Sequence, residues 1–250
     1  LFKIGLIKIR SLIMQLIDTS LSNTKIAKTQ KEYNPFKRPF RISSLSLYPN
    51  DIICPGSLLA DCQEACLRSA GYGKFKNVRE GRQKKTDLWL TNPDLFLELF
   101  ANQLKNFQKL CDKDNLQAVH RPNTISDIDW EKHGIPQLFP RMFFYDYTKR
   151  PFRLTRVPEN YRLMFSFSGV PGYKNQVKAA LKTDAPISVV FNGPFPKEFL
   201  GRKVIDGDRS DLINLYAGKK IIGLKAKGDA KKDKTGFVIH TNKIMMQEVA

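Results

Sequence analysis

The chain has 250 residues, of which 42% are hydrophobic, 26% charged and 11% aromatic. This composition can bury a core, and it excludes a disordered, collagen-like or coiled-coil chain. Lys and Arg number 42 against 24 Asp and Glu, which leaves a formal net charge of +18. A charge of this size attracts polyanions, so we expect a nucleic acid or a nucleotide as partner. No feature of the sequence indicates a protein partner.

The first 20 residues are interpreted as an N-terminal extension, followed by a single domain of residues 21–250. The apolar run Leu1–Ile17 is interrupted by Lys3, Lys8 and Arg10, so it is not the uninterrupted stretch of about 20 residues that a membrane helix needs. It also lacks the order of regions that defines a signal peptide. We therefore expect no membrane span. Met14 is a candidate start of the natural chain, which would place residues 1–13 upstream of it.

Three elements are predicted in the first half of the domain. Alternating residues predict a strand over Ile42–Tyr48. Helical spacing over Leu58–Ala70 places Cys62 and Cys66 on one helical face, at i and i+4. A strongly cationic helix follows over Lys74–Leu90.

The next helix has a clear start signal. Asn92 is the expected N-cap and Pro93 occupies the first turn. The following apolar residues recur at helical spacing and predict a core face: Phe96, Leu97, Phe100, Leu104, Phe107 and Leu110. Cys111 lies in the last turn of this helix and is expected to belong to the core.

The rest of the chain alternates short apolar runs with polar clusters. The runs predict strands at Leu116–His120, Met142–Tyr145, Tyr161–Phe165 and Ile187–Phe191. Short helices are predicted between them at Trp130–Phe139 and Tyr173–Leu181. Strands that alternate with helices predict an α/β protein with a parallel sheet, here a complete or partial (β/α) barrel. The tail, from Lys203 to His240, is expected to add the last strands and a basic hairpin.

Three of the four cysteines, Cys54, Cys62 and Cys66, fall within 13 positions. Thiolates bind soft metals, and three of them can hold an iron–sulfur cluster with one iron left open. The same thiolates could instead bind structural zinc, with His120, His133 or Cys111 as fourth ligand. The remaining alternative is that the three cysteines are buried without metal.

Carboxylates and a lysine follow two of the predicted strands. The catalytic residues of (β/α) barrels lie at the carboxyl ends of the strands. We therefore assign a catalytic role to Asp127, Asp146 and Lys149, and expect them at the same rim as the cysteines. Carboxylates could hold a divalent cation for phosphodiester chemistry, with Lys149 stabilising negative charge. A divalent-metal nuclease is thus a further alternative. Asp206-Gly-Asp208 is equally typical of a turn.

The excess positive charge suggests a nucleic-acid surface. The residues assigned to it are Lys74, Lys76, Arg82, Lys84, Lys85 and Arg150. The ordinary alternative is a solvated helix face. Trp130, Tyr145 and Tyr147 could stack on bases, or they could fill the core. Serine-hydrolase elbows, phosphate loops and dinucleotide fingerprints are absent from the sequence.

Several short segments resemble the phage-encoded gene product 88 family. They are Ser22–Lys25, Leu45–Pro49, Cys54–Gly56, Asp61–Cys66, Ser126–Trp130, Phe144–Lys149 and Phe165–Ser168. The resemblance covers most of the chain, from about Leu21 to His240. A phage-encoded protein is expected in the cytoplasm of the infected host cell.

Proteins of this family resemble radical-SAM barrels, in which three cysteines bind a four-iron, four-sulfur cluster and the open iron binds S-adenosylmethionine. The resemblance therefore implies a metalloenzyme with the cluster on Cys54, Cys62 and Cys66, acting on a nucleic acid or nucleotide. The first cysteine gap is longer than usual, and Ala65 and Leu67 flank Cys66 where an aromatic residue is usual, so no residue is assigned to the adenine. The alternative is a non-enzymatic, basic nucleic-acid-binding protein with structural zinc or no metal.

Overall fold

The computed structural model describes residues 14–20, 24–66 and 71–241. Residues 1–13 of the predicted extension and residues 67–70 of the predicted cysteine helix lie outside this part. The helices are α1 Thr24–Glu32, α2 Lys76–Thr91, α3 Pro93–Lys113, α4 Ile135–Leu138, α5 Lys174–Leu181 and α6 Asp211–Leu215. The strands are β1 Ile17–Asp18, β2 Phe40–Leu45, β3 Gln117–Arg121, β4 Phe143–Thr148, β5 Tyr161–Ser166, β6 Ile187–Asn192, β7 Glu198–Phe199, β8 Arg202–Asp206, β9 Ile221–Lys225 and β10 Ile239–His240.

These strands form one ten-stranded sheet, which confirms the α/β class. Its order is β1-β2-β3-β4-β5-β6-β9-β8-β7, and β10 pairs with β6. The neighbours from β2 to β8 are parallel, whereas the β1–β2 and β7–β8 pairs at the two edges are antiparallel. The sheet is therefore mixed and does not close into the expected complete parallel barrel. Its edge strands are only two residues long, and each pairs inward with its own neighbour.

The predicted basic hairpin at the end of the chain is wrong. β9 and β10 both run parallel to β6, so they cannot be the two antiparallel strands of a hairpin. β9 pairs with Ile187–Phe191 of β6. β5 pairs with the first two residues of β6, whereas β10 pairs with the last two. The tail thus adds separate parallel strands.

The long helices and most strands lie where the sequence predicts them. In α3, the side chain of Asn92 accepts the N–H of Leu95 at 3.1 Å and caps the helix. Its apolar face is buried against Trp130 and the sheet, with Phe96, Phe100, Leu104, Phe107 and Cys111 at 3% exposure or less. α1 and α6 contribute Ile26, Leu212 and Leu215 to a second core cluster with β2, β4 and β9.

The predicted helix over the cysteines is wrong within its described part, because residues 58–66 form successive turns. The N–H of Cys62 donates to the carbonyl of Ser57 at 3.2 Å, and that of Cys66 donates to Gln63 at 3.3 Å. Asp61 has a φ of 47°, a left-handed conformation that a continuing α-helix excludes.

The part of the chain preceding β2 joins the core. Leu16 and Ile17 are buried, and β1 pairs with Ser44 and Leu45 of β2. The division into an extension and one domain stays a prediction. No helix within the described ranges has both the length and the apolar character needed to cross a membrane.

Candidate cysteine site

The segment that follows β2 encloses a cavity of about 260 Å³. Its lining residues are Pro49, Asn50, Asp51, Cys54, Ser57, Cys62, Gln63 and Cys66. The structure therefore places all three clustered cysteines on one cavity. Each of these residues is partly exposed, although burial dominates the environment of the Cys54 thiol.

Three hydrogen bonds to other elements hold this segment at the carboxyl edge of the parallel strands, and a fourth lies within it. Within the segment, the side chain of Asn50 accepts the N–H of Ile53 at 3.0 Å. The N–H of Asp127, in the loop after β3, donates to the carbonyl of Ile53 at 2.8 Å. Beyond β5, Ser168 donates its hydroxyl to the carbonyl of Ala60 at 2.7 Å. Thr235, before β10, donates to the carbonyl of Asp61 at 3.1 Å.

Lys149 follows β4 and is buried beside the cysteines. Its ammonium donates to the carbonyls of Ser166 and Phe167 at 3.4 and 3.3 Å, and lies 4.3 Å from the centroid of the Phe237 ring. Burial lowers the pKa of Lys149, and the nearby Cys62 and Cys54 thiols act in the opposite direction. Lys149 thus places a buried cation beside the thiols.

The Cys54 thiol is strongly disfavoured as a thiolate. Burial raises its pKa most, followed by the negative charges of Asp127, Cys62 and Cys66, while Lys149 lowers it. Cys62 and Cys66 thus act on Cys54 in the same direction as Asp127. A cation in the cavity would favour their thiolate forms, since opposite charge lowers a thiol pKa.

Asp127 and Lys149 lie together. Asp127 accepts the N–H of Lys149 at 2.9 Å and the hydroxyl of Thr148 at 3.2 Å. Arg153 binds the other carboxylate oxygen. The chain itself therefore occupies both oxygens of Asp127, which restricts this residue to positioning the loop.

Asp146 points into an adjacent buried network rather than into the cysteine cavity. Its carboxylate accepts the N–H of Asn123 at 2.9 Å and the hydroxyl of Tyr161 at 2.9 Å. Burial raises the pKa of Asp146 to about 7, although Arg121 and Arg153 lower it. All three predicted catalytic residues belong to β4 or to the loops beside it.

The residues assigned to nucleic-acid contact have different environments. Lys74, Lys76 and Lys84 are exposed. Lys85 donates to the carbonyl of Leu16 at 2.7 Å. The remaining two residues, Arg82 and Arg150, lie beside other titratable side chains. Burial lowers the pKa of Arg82, and the neighbouring Cys66 raises it, while the guanidinium of Arg150 pairs with Asp127 and Asp129.

The residues considered as a fourth zinc ligand lie away from the cavity lining. His120 is fully buried and shares a hydrogen bond of 2.7 Å with Ser43. His133 packs edge-on against Trp89, with ring centroids 5.1 Å apart. Cys111 is in the core, and burial raises its pKa to about 11. Among the described residues, no group of three or more His, Cys, Asp or Glu is arranged to hold a metal ion.

Sequence reasoning missed several residues of the site. Asn50, Ser57 and Gln63 line the cavity, and Tyr173 and Phe237 pack around Lys149. Only Asn50 carries a local signal, because it follows Pro49 in a turn. The aromatic residues come from distant segments, and no spacing rule could have connected them with Lys149. Trp130 and Tyr145 are fully buried, in agreement with the core interpretation of these two rings.

Fold and site together define an α/β protein that carries a three-cysteine cavity at the carboxyl edge of its parallel strands. The family described as "Gene product 88" matches residues 13–241. The chain therefore belongs to the Gene product 88 family, as the sequence segments indicated. None of the curated proteins and none of the solved structures compared with the chain matches it.

Proposed function

We propose that this protein is a metalloenzyme that holds an iron–sulfur cluster on Cys54, Cys62 and Cys66 and acts on a nucleic acid or nucleotide. The observation that carries the proposal is the shared cavity of the three cysteines, with Lys149 buried beside them. Three thiols on one cavity can share a soft metal ligand.

The chemistry of the donor set fits a soft metal. Three thiols supply the ligands that iron–sulfur clusters and zinc prefer, and a three-cysteine set leaves one metal position open. Binding requires thiolates, and the raised pKa of Cys54 shows that the cavity disfavours several negative charges without a cation. The thiols do not yet surround one point. Their segment consists of turns, so side-chain rotation and small backbone shifts can bring them closer.

The strand order supports the interpretation of the fold as a partial (β/α) barrel. β2 to β6 are parallel and follow one another in both sequence and space, as in a partial (β/α) barrel. The cysteine segment follows the first of these strands, and Lys149 follows the third. The active-site residues of such folds lie at the carboxyl ends of the strands.

An iron–sulfur cluster supplies one-electron chemistry when bound. In this chain, Lys149 would offset the negative charge of the thiolates, and Asp127 would hold the backbone of Lys149 in place. Asn50 and Gln63 line the same cavity, in which S-adenosylmethionine or another small co-substrate could bind. Substrate recruitment is assigned to the exposed lysines of α2.

Metal analysis of anaerobically purified protein tests the proposal. We expect iron and acid-labile sulfide in the wild-type protein and their loss in Cys54→Ala, Cys62→Ala and Cys66→Ala. Cys111→Ala is the matched control, because it removes a thiol outside the cavity and should retain the metal. Protein without metal would overturn the proposal.

Zinc without sulfide would instead favour the non-enzymatic alternative. In that case the cysteines would be structural, and the +18 charge and exposed lysines of α2 would serve nucleic-acid binding alone. Zinc content and sulfide content measured on the same sample separate the two functions.

A further inference from the structure

We infer that Tyr72 and Phe75 form a base-stacking platform for single-stranded nucleic acid beside the cysteine cavity. The inference deepens the proposed function, since it names the substrate class. It rests on the nucleic-acid part of that proposal and not on the identity of the metal.

The platform consists of two large rings that the core does not cover. Tyr72 is 57% exposed and Phe75 is 47% exposed. Their centroids lie 6.1 Å apart with an interplanar angle of 40°. Two neighbouring aromatic side chains at this exposure leave apolar area in contact with water, and such exposed apolar area commonly marks a binding site.

Hydrogen bonds hold the backbone of the platform, which consists of the 3₁₀ turn Gly71–Lys74 and the N-cap residue Phe75 of α2. The N–H of Phe75 donates to the carbonyl of Tyr72 at 3.1 Å, and the N–H of Arg79 donates to Phe75 at 3.1 Å. The guanidinium of Arg79 also donates to the carbonyl of Lys74 at 2.7 Å. The two rings are therefore carried by a fixed turn rather than by a loose loop, which lowers the entropic cost of binding.

Cations lie beside the rings. The ammonium of Lys74 lies 5.3 Å from the centroid of Phe75, and Lys76 follows it on the exposed surface. Stacking rings combined with positive charge are the arrangement that binds single strands without sequence preference, since every base has a π-face and every nucleotide a phosphate. Bases in a duplex are stacked on each other, so these rings discriminate against double strands.

The same helix leads from the platform to the cysteines. The N–H of Tyr48 donates to the carbonyl of Arg82 in α2 at 3.3 Å, and the next residue, Pro49, lines the cysteine cavity. Arg82 lies six positions after Lys76, or about 9 Å along the helix axis. A strand whose bases stack on Tyr72 and Phe75 can therefore place a nearby nucleotide at the cavity.

Fluorescence anisotropy with a labelled 12-mer of deoxythymidine, a duplex of the same length and an abasic 12-mer tests the inference. Wild-type protein should bind the single strand more tightly than the duplex and the abasic strand at 50 mM salt. The double variant Tyr72→Ala/Phe75→Ala should bind the single strand about tenfold or more weakly, because each stacked base contributes about fivefold or more. It should also no longer distinguish the single strand from the abasic strand.

Tyr216→Ala is the matched control. Tyr216 is 41% exposed and has the guanidinium of Arg162 4.6 Å from its ring. It packs on Phe143, at the amino end of β4 and thus at the opposite edge of the sheet. This variant should bind the single strand like the wild type.

Equal single-strand affinity for the wild type and the double variant would overturn the inference, as would equal affinity of the wild type for the single strand and the duplex. Binding to an acidic protein but to no oligonucleotide at low salt would also overturn it. The metal content of the same variants separates this result from the proposed metal site, because removal of surface rings should leave the metal content unchanged.

Discussion

Gly56 packs so closely against Lys149 that a β-carbon at Gly56 would lie 2.5 Å from the Cβ of Lys149. The contact is with the rigid base of the lysine side chain and not with its flexible end. The cysteine segment and the end of β4 can therefore meet only if residue 56 has no side chain. This contact couples the position of the thiols to that of the buried amine.

We predict that Gly56→Ala lowers the free energy of unfolding by about 1–3 kcal/mol, because an added methyl in a packed contact forces the backbone to shift. Denaturant unfolding measures the change. Gly81→Ala is the control: Gly81 lies in α2 with nothing within 4 Å of its added β-carbon. This substitution should stabilise the protein by about 0.5–1 kcal/mol, since alanine favours the helix. Equal effects at both positions would contradict the Gly56–Lys149 contact.

Replacement of the buried Arg153 by methionine should lower the free energy of unfolding by about 3–5 kcal/mol. Its side chain is fully buried and pairs with Asp127, with Asp129 at 3.2 Å and with Glu131 at 2.8 Å. The substitution leaves three carboxylates without their central cation.

Lys132→Met provides the comparison, because Lys132 pairs with the same Asp129 at 2.8 Å but its side chain is 66% exposed. Its loss should cost less than about 1 kcal/mol, as is usual for exposed ion pairs. Denaturant unfolding of both variants gives the difference. A larger loss in Lys132→Met than in Arg153→Met would refute the assignment of the buried network.

Lys149→Met should slow the alkylation of Cys54 by iodoacetamide in metal-free protein. The positive charge of Lys149 lowers the pKa of Cys54, so its removal reduces the thiolate population by about tenfold for each pKa unit. Mass spectrometry of the modified peptides measures the rate at each cysteine. Lys84→Met, at an exposed lysine of α2, should leave the rate unchanged, and an unchanged rate in Lys149→Met would show that the amine does not act on the thiol.

His120 should make the protein less stable in acid. Burial lowers its pKa to about 3 from an ordinary value of 6.5, so the unfolded state binds the additional proton between these two pH values. Its contribution is complete above pH 6.5 and declines as the pH falls towards 3, with a slope of up to about 1.4 kcal/mol per pH unit.

Unfolding free energies measured between pH 4 and 7 should therefore have a smaller slope in His120→Gln than in the wild type. Gln can still bond to Ser43, so the variant keeps a polar partner for this hydroxyl. The exposed His133 supplies the control, because His133→Gln should retain the wild-type slope. An identical slope in all three proteins would show that His120 is not buried as a neutral ring.

Local sequence signals determined the helices and strands that have a strong period or a cap. Asn92 and Pro93 start α3 where the sequence predicts it. Four of the predicted positions, Phe96, Phe100, Leu104 and Phe107, face the core, whereas Leu110, predicted on the same face, is 45% exposed. The apolar runs before Arg121, Asp146, Ser166 and Asn192 became β3, β4, β5 and β6. These features depend on residues close in sequence, and so did the segments that pointed to the Gene product 88 family.

Only the tertiary structure decided how distant segments meet. The spacing of Cys62 and Cys66 favours a helix, yet this segment forms turns, and Ser168 and Thr235 bond to the carbonyls of Ala60 and Asp61 within it. Likewise, β10 aligns beside β6 rather than with β9. Lys149 carries no local mark of burial, because Tyr173 and Phe237 cover it from segments far along the chain. Local periodicity cannot encode such contacts, since their energy comes from packing between elements that the sequence order leaves apart.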